Sequence, residues 1–191
     1  MRKLFVLISV LVVALAMTSC LNSVSSDHTP EIRCSYLYVN PVYSGDTIVG
    51  AKDSLQLAYD AKDTLRLTYD DKDNSFVTDT LALGDTLMFS AAYYTVSNNL
   101  IAVKIAWDST ETALWYPLNT KIEEVLTDRS DVAAGQLYFN PGYNFVAFPI
   151  YVSPKQVGKT SFSLTVESDS KFPTASLKFV LPVSKVDSVS L

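Results

Sequence analysis

The sequence predicts an all-β protein, an antiparallel sandwich with at most one short helix. Three observations predict it. Apolar and polar residues alternate with a period of 2 along most of the chain, the mark of half-buried strands. Turn formers interrupt these runs at intervals of roughly ten residues, the spacing of short sandwich strands. One stretch alone carries helical spacing, and it is short.

Before the strands comes an export segment. Arg2 and Lys3 precede LFVLISVLVVALAM, residues 4–17, in which Ser9 is the one polar residue. A membrane-spanning helix needs about 20 apolar residues. This shorter run behind a basic head reads as a signal peptide. Two cleavage sites compete: Ala14-Leu15-Ala16 suits an ordinary signal peptidase, and Met17-Thr18-Ser19-Cys20 suits cleavage just before Cys20. The expected division is residues 1–19 as signal, 20–31 as N-terminus and tether, and 32–191 as one β-sandwich domain. The tether, LNSVSSDHTPE after Cys20, is polar and has little to bury. Its 11 residues reach roughly 35–40 Å when extended. The chain's one histidine, His28, lies there and reads as a solvated linker residue.

The domain opens with EIRCSYLYVNP, in which Ile32, Cys34, Tyr36 and Tyr38 share one face of an extended segment. Cys34 reads as a small buried apolar residue. AKDSLQLAYD (51–60) and AKDTLRLTYD (61–70) match at seven of ten positions and predict two strands joined as a hairpin. Asp71, Asp73 and Ser75 begin a calcium-loop spacing, but Phe76 stands where glycine is needed and Ala82 where glutamate is needed. Lys62 and Lys72 also oppose a cation, so these acids read as solvated turns. Further on, Leu87 and Phe89 face one way, and Ile101, Val103, Ile105 and Trp107 face together opposite Lys104. Asn119 or Thr120 caps a turn or two of helix through Leu126, with Glu123 three residues after Thr120 and Ile122, Val125 and Leu126 on one side. In YNFVAFPIYV (143–152), Pro149 argues that the later half is an edge or a bulge. The last two strands point Phe162, Leu164 and Val166, then Leu177, Phe179 and Leu181, to one side.

Charge and missing residue types exclude several functions. Without residues 1–19 the chain has 13 basic and 20 acidic residues, a net charge of −7. An acidic domain with no basic cluster is not expected to bind nucleic acid. With His28 in the tether, neither a Ser-His-Asp arrangement nor histidine-ligated zinc is expected inside the domain. Glycine-rich phosphate motifs are absent, and no metal or cofactor is expected. Glu123 and Glu124 are adjacent and diverge by about 100° on a helix, so they form no acid/base pair. What remains is aromatic. Trp115-Tyr116, in a loop before Pro117, are the candidate ligand-contact residues, with Tyr93-Tyr94 near a strand end, while Trp107 is expected in the core.

Met17-Thr18-Ser19-Cys20 resembles a bacterial lipobox of the relaxed kind found in Bacteroidetes lipoproteins, with Met where Leu is commoner. The resemblance implies that Cys20 becomes the acylated N-terminus. The chain would then be anchored by lipid in the outer membrane, periplasmic or surface-facing, and Cys34 would be left without a disulfide partner. Without lipid, a Cys20–Cys34 bridge becomes available. Leu81-Ala-Leu-Gly-Asp-Thr-Leu-Met-Phe89 and the closing pair of strands resemble bacterial immunoglobulin-like domains. That resemblance implies a fold and carries no site residues. The expected function is a non-enzymatic, lipid-anchored envelope module for a protein or glycan partner. A small glycan-active hydrolase using paired carboxylates, and a pilus or adhesin subunit, are the alternatives.

Overall fold

A computed structural model describes residues 28–55 and 67–185. The signal peptide, Cys20, residues 21–27 of the tether, residues 56–66 of the repeat and residues 186–191 lie outside the described residues. Two sheets face each other across one core. The first holds, in spatial order, β10 (Thr112–Trp115), β12 (Phe145–Pro154), β8 (Leu87–Tyr94), β1 (Glu31–Val39) and β4 (Asp53–Leu55). The second holds β11 (Gln136–Tyr138), β9 (Leu100–Trp107), β13 (Gly158–Ser168), β14 (Thr174–Ser184), β6 (Ser75–Thr78) and β5 (Leu67–Asp70), with β7 (Leu81–Ala82) also against β14. A separate hairpin is made by β2 (Val42–Ser44) and β3 (Thr47–Gly50).

This strand order is that of an immunoglobulin-like sandwich. β1, β8, β12 and β10 take the places of strands A, B, E and D, and β9, β13 and β14 those of C, F and G. Two pairings depart from the antiparallel expectation, because β6 and β7 run parallel to β14. The chain reaches this edge from the first sheet, so no hairpin turn imposes an antiparallel sense.

The core follows from alternation. Along β8, Leu87, Phe89, Ala91 and Tyr93 are buried, while Met88, Ser90, Ala92 and Tyr94 face outward. Phe162, Leu164 and Val166 of β13 and Phe179 and Leu181 of β14 close the core from the other sheet. Phe89 stacks on Phe162 and Phe179 with ring centroids 5.6 and 5.5 Å away, and those two rings stand 5.0 Å apart. Each such contact contributes about 0.5–1.5 kcal/mol beyond the area it buries.

Several local expectations are corrected. On β1, Ile32 and Cys34 pack against the core, but Tyr36 is exposed and Leu37 and Val39 are buried instead. Between the pairs Ser35–Ser90 and Tyr38–Met88, two residues of β1, Tyr36 and Leu37, stand against one of β8, Phe89, and Tyr36 takes φ +54°. This bulge shifts the inward face by one residue. On β9, a shift where Glu167 pairs with Ala102 and Ser168 with Leu100 turns Ile101 outward. The hairpin expected from the repeat is not formed by its described ends. Asp53–Leu55 pairs with β1, whereas Leu67–Asp70 pairs with β6 across the acidic turn at 71–74. That turn closes the second copy on the strand after it rather than on the first copy. On β12, the open edge is the earlier half, since β10 covers only Tyr151–Pro154 and Pro149 lies outside that cover. The tether ends sooner than expected, because Pro30 is buried and β1 begins at Glu31. The helix, α1 (Thr120–Glu123), is capped by Asn119, whose side chain accepts from the Ile122 N–H at 3.0 Å.

One carboxylate ties strand ends of both sheets together. Asp85, in the turn before β8, is 7% exposed. It accepts from Lys52 Nζ at 2.8 and 3.0 Å, from Asn40 Nδ2 at 2.7 Å and from the Ala82 N–H at 2.9 Å. Asn40 Oδ1 in turn accepts from the Thr86 N–H at 2.7 Å. Burial by itself would raise the Asp85 carboxyl, but the Lys52 ammonium, the Ala82 N–H and the Asn40 amide outweigh it and hold it below the usual carboxylate range. Asp85→Asn turns one acceptor into a donor facing donors and should cost roughly 1–3 kcal/mol at pH 7. The folded carboxyl titrates below its unfolded value of about 3.9. Its stabilisation is therefore present above that pH and is lost as pH falls through the folded pKa. Denaturant melts between pH 7 and pH 3 should show a shallower acid loss for Asp85→Asn than for the natural chain, and equal losses would contradict the clamp.

Candidate functional site

The outer faces of the two sheets differ in chemistry. Across the second sheet, Lys104 pairs with Glu167 at 2.6 Å, Thr165 hydrogen-bonds Ser176 at 2.8 Å, and Lys178 is exposed. The same face carries exposed Ile101 and the ring of Tyr138, with the Arg129 guanidinium 4.7 Å from its centre. The first sheet presents rings and small side chains. Strand register aligns Trp115, Tyr151, Met88 and Tyr38 in one row across four strands. A second row places Phe145 beside Tyr94 and Glu31. Between them lie Pro149 opposite Ser90 and Ser35, then Ala147 opposite Ala92 and Arg33.

The rings of the first row are held in place. Trp115, 45% exposed, stacks on Tyr151 with centroids 5.3 Å apart and planes 7° from parallel. The β2–β3 hairpin brings Tyr43 over the same spot, and its hydroxyl lies 2.7 Å from the Tyr151 hydroxyl. Burial, then the bond to Tyr151, raises the Tyr43 hydroxyl above the usual phenol range. At the other end, a cleft of about 390 Å³ is lined by Arg33, Ala92, Tyr94, Thr95, Asn144 and Phe145. Tyr94 donates to Glu31, and the Arg33 guanidinium lies 5.0 Å from the centre of the Tyr94 ring. The Tyr94 hydroxyl, then Arg33, hold the Glu31 carboxyl below its usual range against a smaller opposing effect of burial.

The two residues singled out in sequence separate. Trp115 faces solvent, whereas Tyr116 is 8% exposed, packs on Phe148 and donates its hydroxyl to the Val132 carbonyl. Burial, then the charge of Asp131, pushes the Tyr116 hydroxyl up to about 12. Trp107 is half-buried against the core, and Tyr93 is fully buried. The sequence reading missed Tyr151, Tyr43 and Phe145. Alternation around buried Ile150 and Val152 places Tyr151 and Phe145 outward, a signal present in the sequence. Nothing local signals Tyr43, whose partner is 108 positions away.

Glu123 and Glu124 are both exposed. Among the described residues no three His, Cys, Asp or Glu side chains stand together to hold a metal ion, and Asp71 and Asp73 are exposed. Cys34 is half-buried, and burial pushes its thiol up to about 12. Cys20, the lipidation candidate, lies outside the described residues. Among them, no helix is long and apolar enough to cross a membrane.

No family model matches the chain, and no curated protein matches it. Among solved structures, it is similar to the major subunit of aggregative adherence fimbriae type I from Escherichia coli. Identity is 16%, the match covers 63% of this chain and 93% of that one, and the TM-score is 0.31. The fold assignment rests on the strand order of this chain and not on that likeness.

Two outcomes follow from this placement. Tyr116→Ala should cost about 3–5 kcal/mol and Trp115→Ala only about 1 kcal/mol, measured by denaturant melts. Equal costs would contradict the assignment of one ring to the core and one to the surface. Cys34 should resist a disulfide reagent at pH 8 in the native chain and react on unfolding, whereas rapid native labelling would show an accessible thiolate.

Proposed function

We propose that the chain is a lipid-anchored, non-enzymatic module of the bacterial cell envelope that binds a protein or glycan partner. The observation that carries the binding reading is the contrast between the two outer faces. The second sheet's face is mostly hydroxylated and ion-paired, with Tyr138 covered by Arg129 and Ile101 as an exposed aliphatic residue there. The first sheet's face sets exposed Trp115, Tyr43 and Phe145 around small residues. Aromatic side chains held in place but left exposed are the groups that anchor partners, because ordering them on binding costs little entropy.

The anchor rests on Met17-Thr18-Ser19-Cys20 behind the apolar run. One acyl chain binds a membrane weakly, whereas two or three hold firmly. The tether enters the domain at Glu31, which pairs with Tyr94, while Val39 at the other end of β1 pairs with Leu87 near the Trp115 row. In this reading the Trp115–Tyr151–Tyr43 cluster sits at the end of the sheet away from the lipid, open to a partner in the surrounding space.

Cells grown with an alkyne-bearing fatty acid should label the chain, and Cys20→Ala should abolish the label and release the protein from the membrane fraction. An unlabelled natural chain would overturn the anchor.

A further inference from the structure

The geometry points to a neutral, hydroxyl-rich glycan chain as the occupant of the first sheet's outer face, laid along the strands from the Trp115 row to the Phe145 row. This names the partner class of the binding surface proposed above and rests on that reading. The first consideration is charge. Between the two rows the outward residues are Pro149, Ser90, Ser35, Ala147, Ala92 and Arg33, of which Arg33 alone is charged. Arg33, beside Ala92, is offset by its ion pair with Glu31 of the Phe145 row at 3.2 Å, so the strip carries no net charge. A strip of no net charge, on a chain whose net charge is −7 without residues 1–19, disfavours anionic polymers and offers little counter-charge to cationic ones. It complements an uncharged ligand.

The second consideration is shape. Trp115 is braced by Tyr151, and Tyr43 by the Tyr151 hydroxyl, so flat rings are fixed before a ligand arrives. Phe145, 58% exposed, forms a separate station. Phe145 and Tyr151 stand at opposite ends of the strip, about 20 Å apart along an extended strand. A protein partner concentrates its energy in a compact, desolvated centre with anchor pockets. Here two ring stations flank a floor of mostly small side chains, with Arg33 along one side, which suits a repeating chain offering an apolar ring face at each station. The third consideration is hydrogen bonding. Ser35, Ser90, Tyr38 and the Tyr43–Tyr151 pair supply neutral hydroxyls that donate and accept, matching sugar hydroxyls without desolvating a charge.

The test uses the mature lipidated protein in mild detergent and reads Trp emission and gel retardation. Neutral polysaccharides (β-glucan, mannan, xylan, dextran) are set against anionic alginate. At least one neutral polymer should bind, and alginate should not. Affinity for its oligomers should rise with length and level off once a chain spans both stations. Trp115→Ala and Phe145→Ala should each weaken binding about tenfold or more. Ile101→Ala on the opposite sheet should leave it unchanged, and melting curves should show all three variants folded. If no neutral polymer binds but a crosslinked envelope protein is lost on Trp115→Ala, the glycan inference falls and the binding face stands. If glycan binding ignores Trp115 and Phe145, the inference is overturned. If no interaction depends on either ring, the binding face falls with it.

Discussion

The packing of Phe89 against Phe162 and Phe179 is the contact on which the rest of the molecule depends. It joins the centre of β8 in one sheet to β13 and β14 in the other, with all three rings 2% exposed or less. Two sheets of a sandwich stand about 10 Å apart, and interleaved phenyl rings fill that gap. Because side chains alternate along a strand, fixing Phe89 inward also fixes Met88 and Ser90 outward. Register then carries the choice to neighbouring strands, placing Tyr151 and Trp115 on the solvent side. The exposed aromatic row is thus a consequence of the buried one.

Alternation holds only where register is unbroken. The bulge at Tyr36 and the shift at Ile101 each turn an apolar residue outward. The sheet ends are secured by a different interaction, the Asp85 carboxylate. It gathers donors from Asn40, Lys52 and Ala82 and so links β7 of one sheet with the ends of β1 and β4 of the other. Hydrophobic packing is non-directional. The carboxylate adds the directional restraint that fixes where the β2–β3 hairpin departs, and with it the position of Tyr43.

These differences set what was legible in the sequence. The inward faces of β8, β13 and β14 were readable because each strand alternates without interruption. The outward turn of Tyr36 and Ile101 was not, because a bulge depends on how many residues the partner strand offers, which no single stretch records. The repeat at 51–70 suggested a hairpin by similarity, yet its described ends joined opposite sheets, since strand pairing follows available edges. For the candidate site, Trp115 was legible as an aromatic residue near a loop. Its division of labour with Tyr116 needed the Val132 carbonyl and Phe148 in place. Tyr43 was invisible locally because its role depends on the hairpin crossing to Tyr151.

A ligand-binding sandwich and an inert one differ here by the chemistry of one sheet face. The proposed binding face is the one that carries Trp115, opposite the face of the Lys104–Glu167 pair. The most direct measurement is an amide and indole NMR titration of the folded protein with soluble neutral oligosaccharides. Binding to the Trp115 face shifts the Trp115 indole and the amides of Ser90, Ala92 and Ala147, with Ser163, Thr165 and Ser176 unmoved. Shifts grouped on the second sheet's outer face, with the Trp115 indole unchanged, would contradict it.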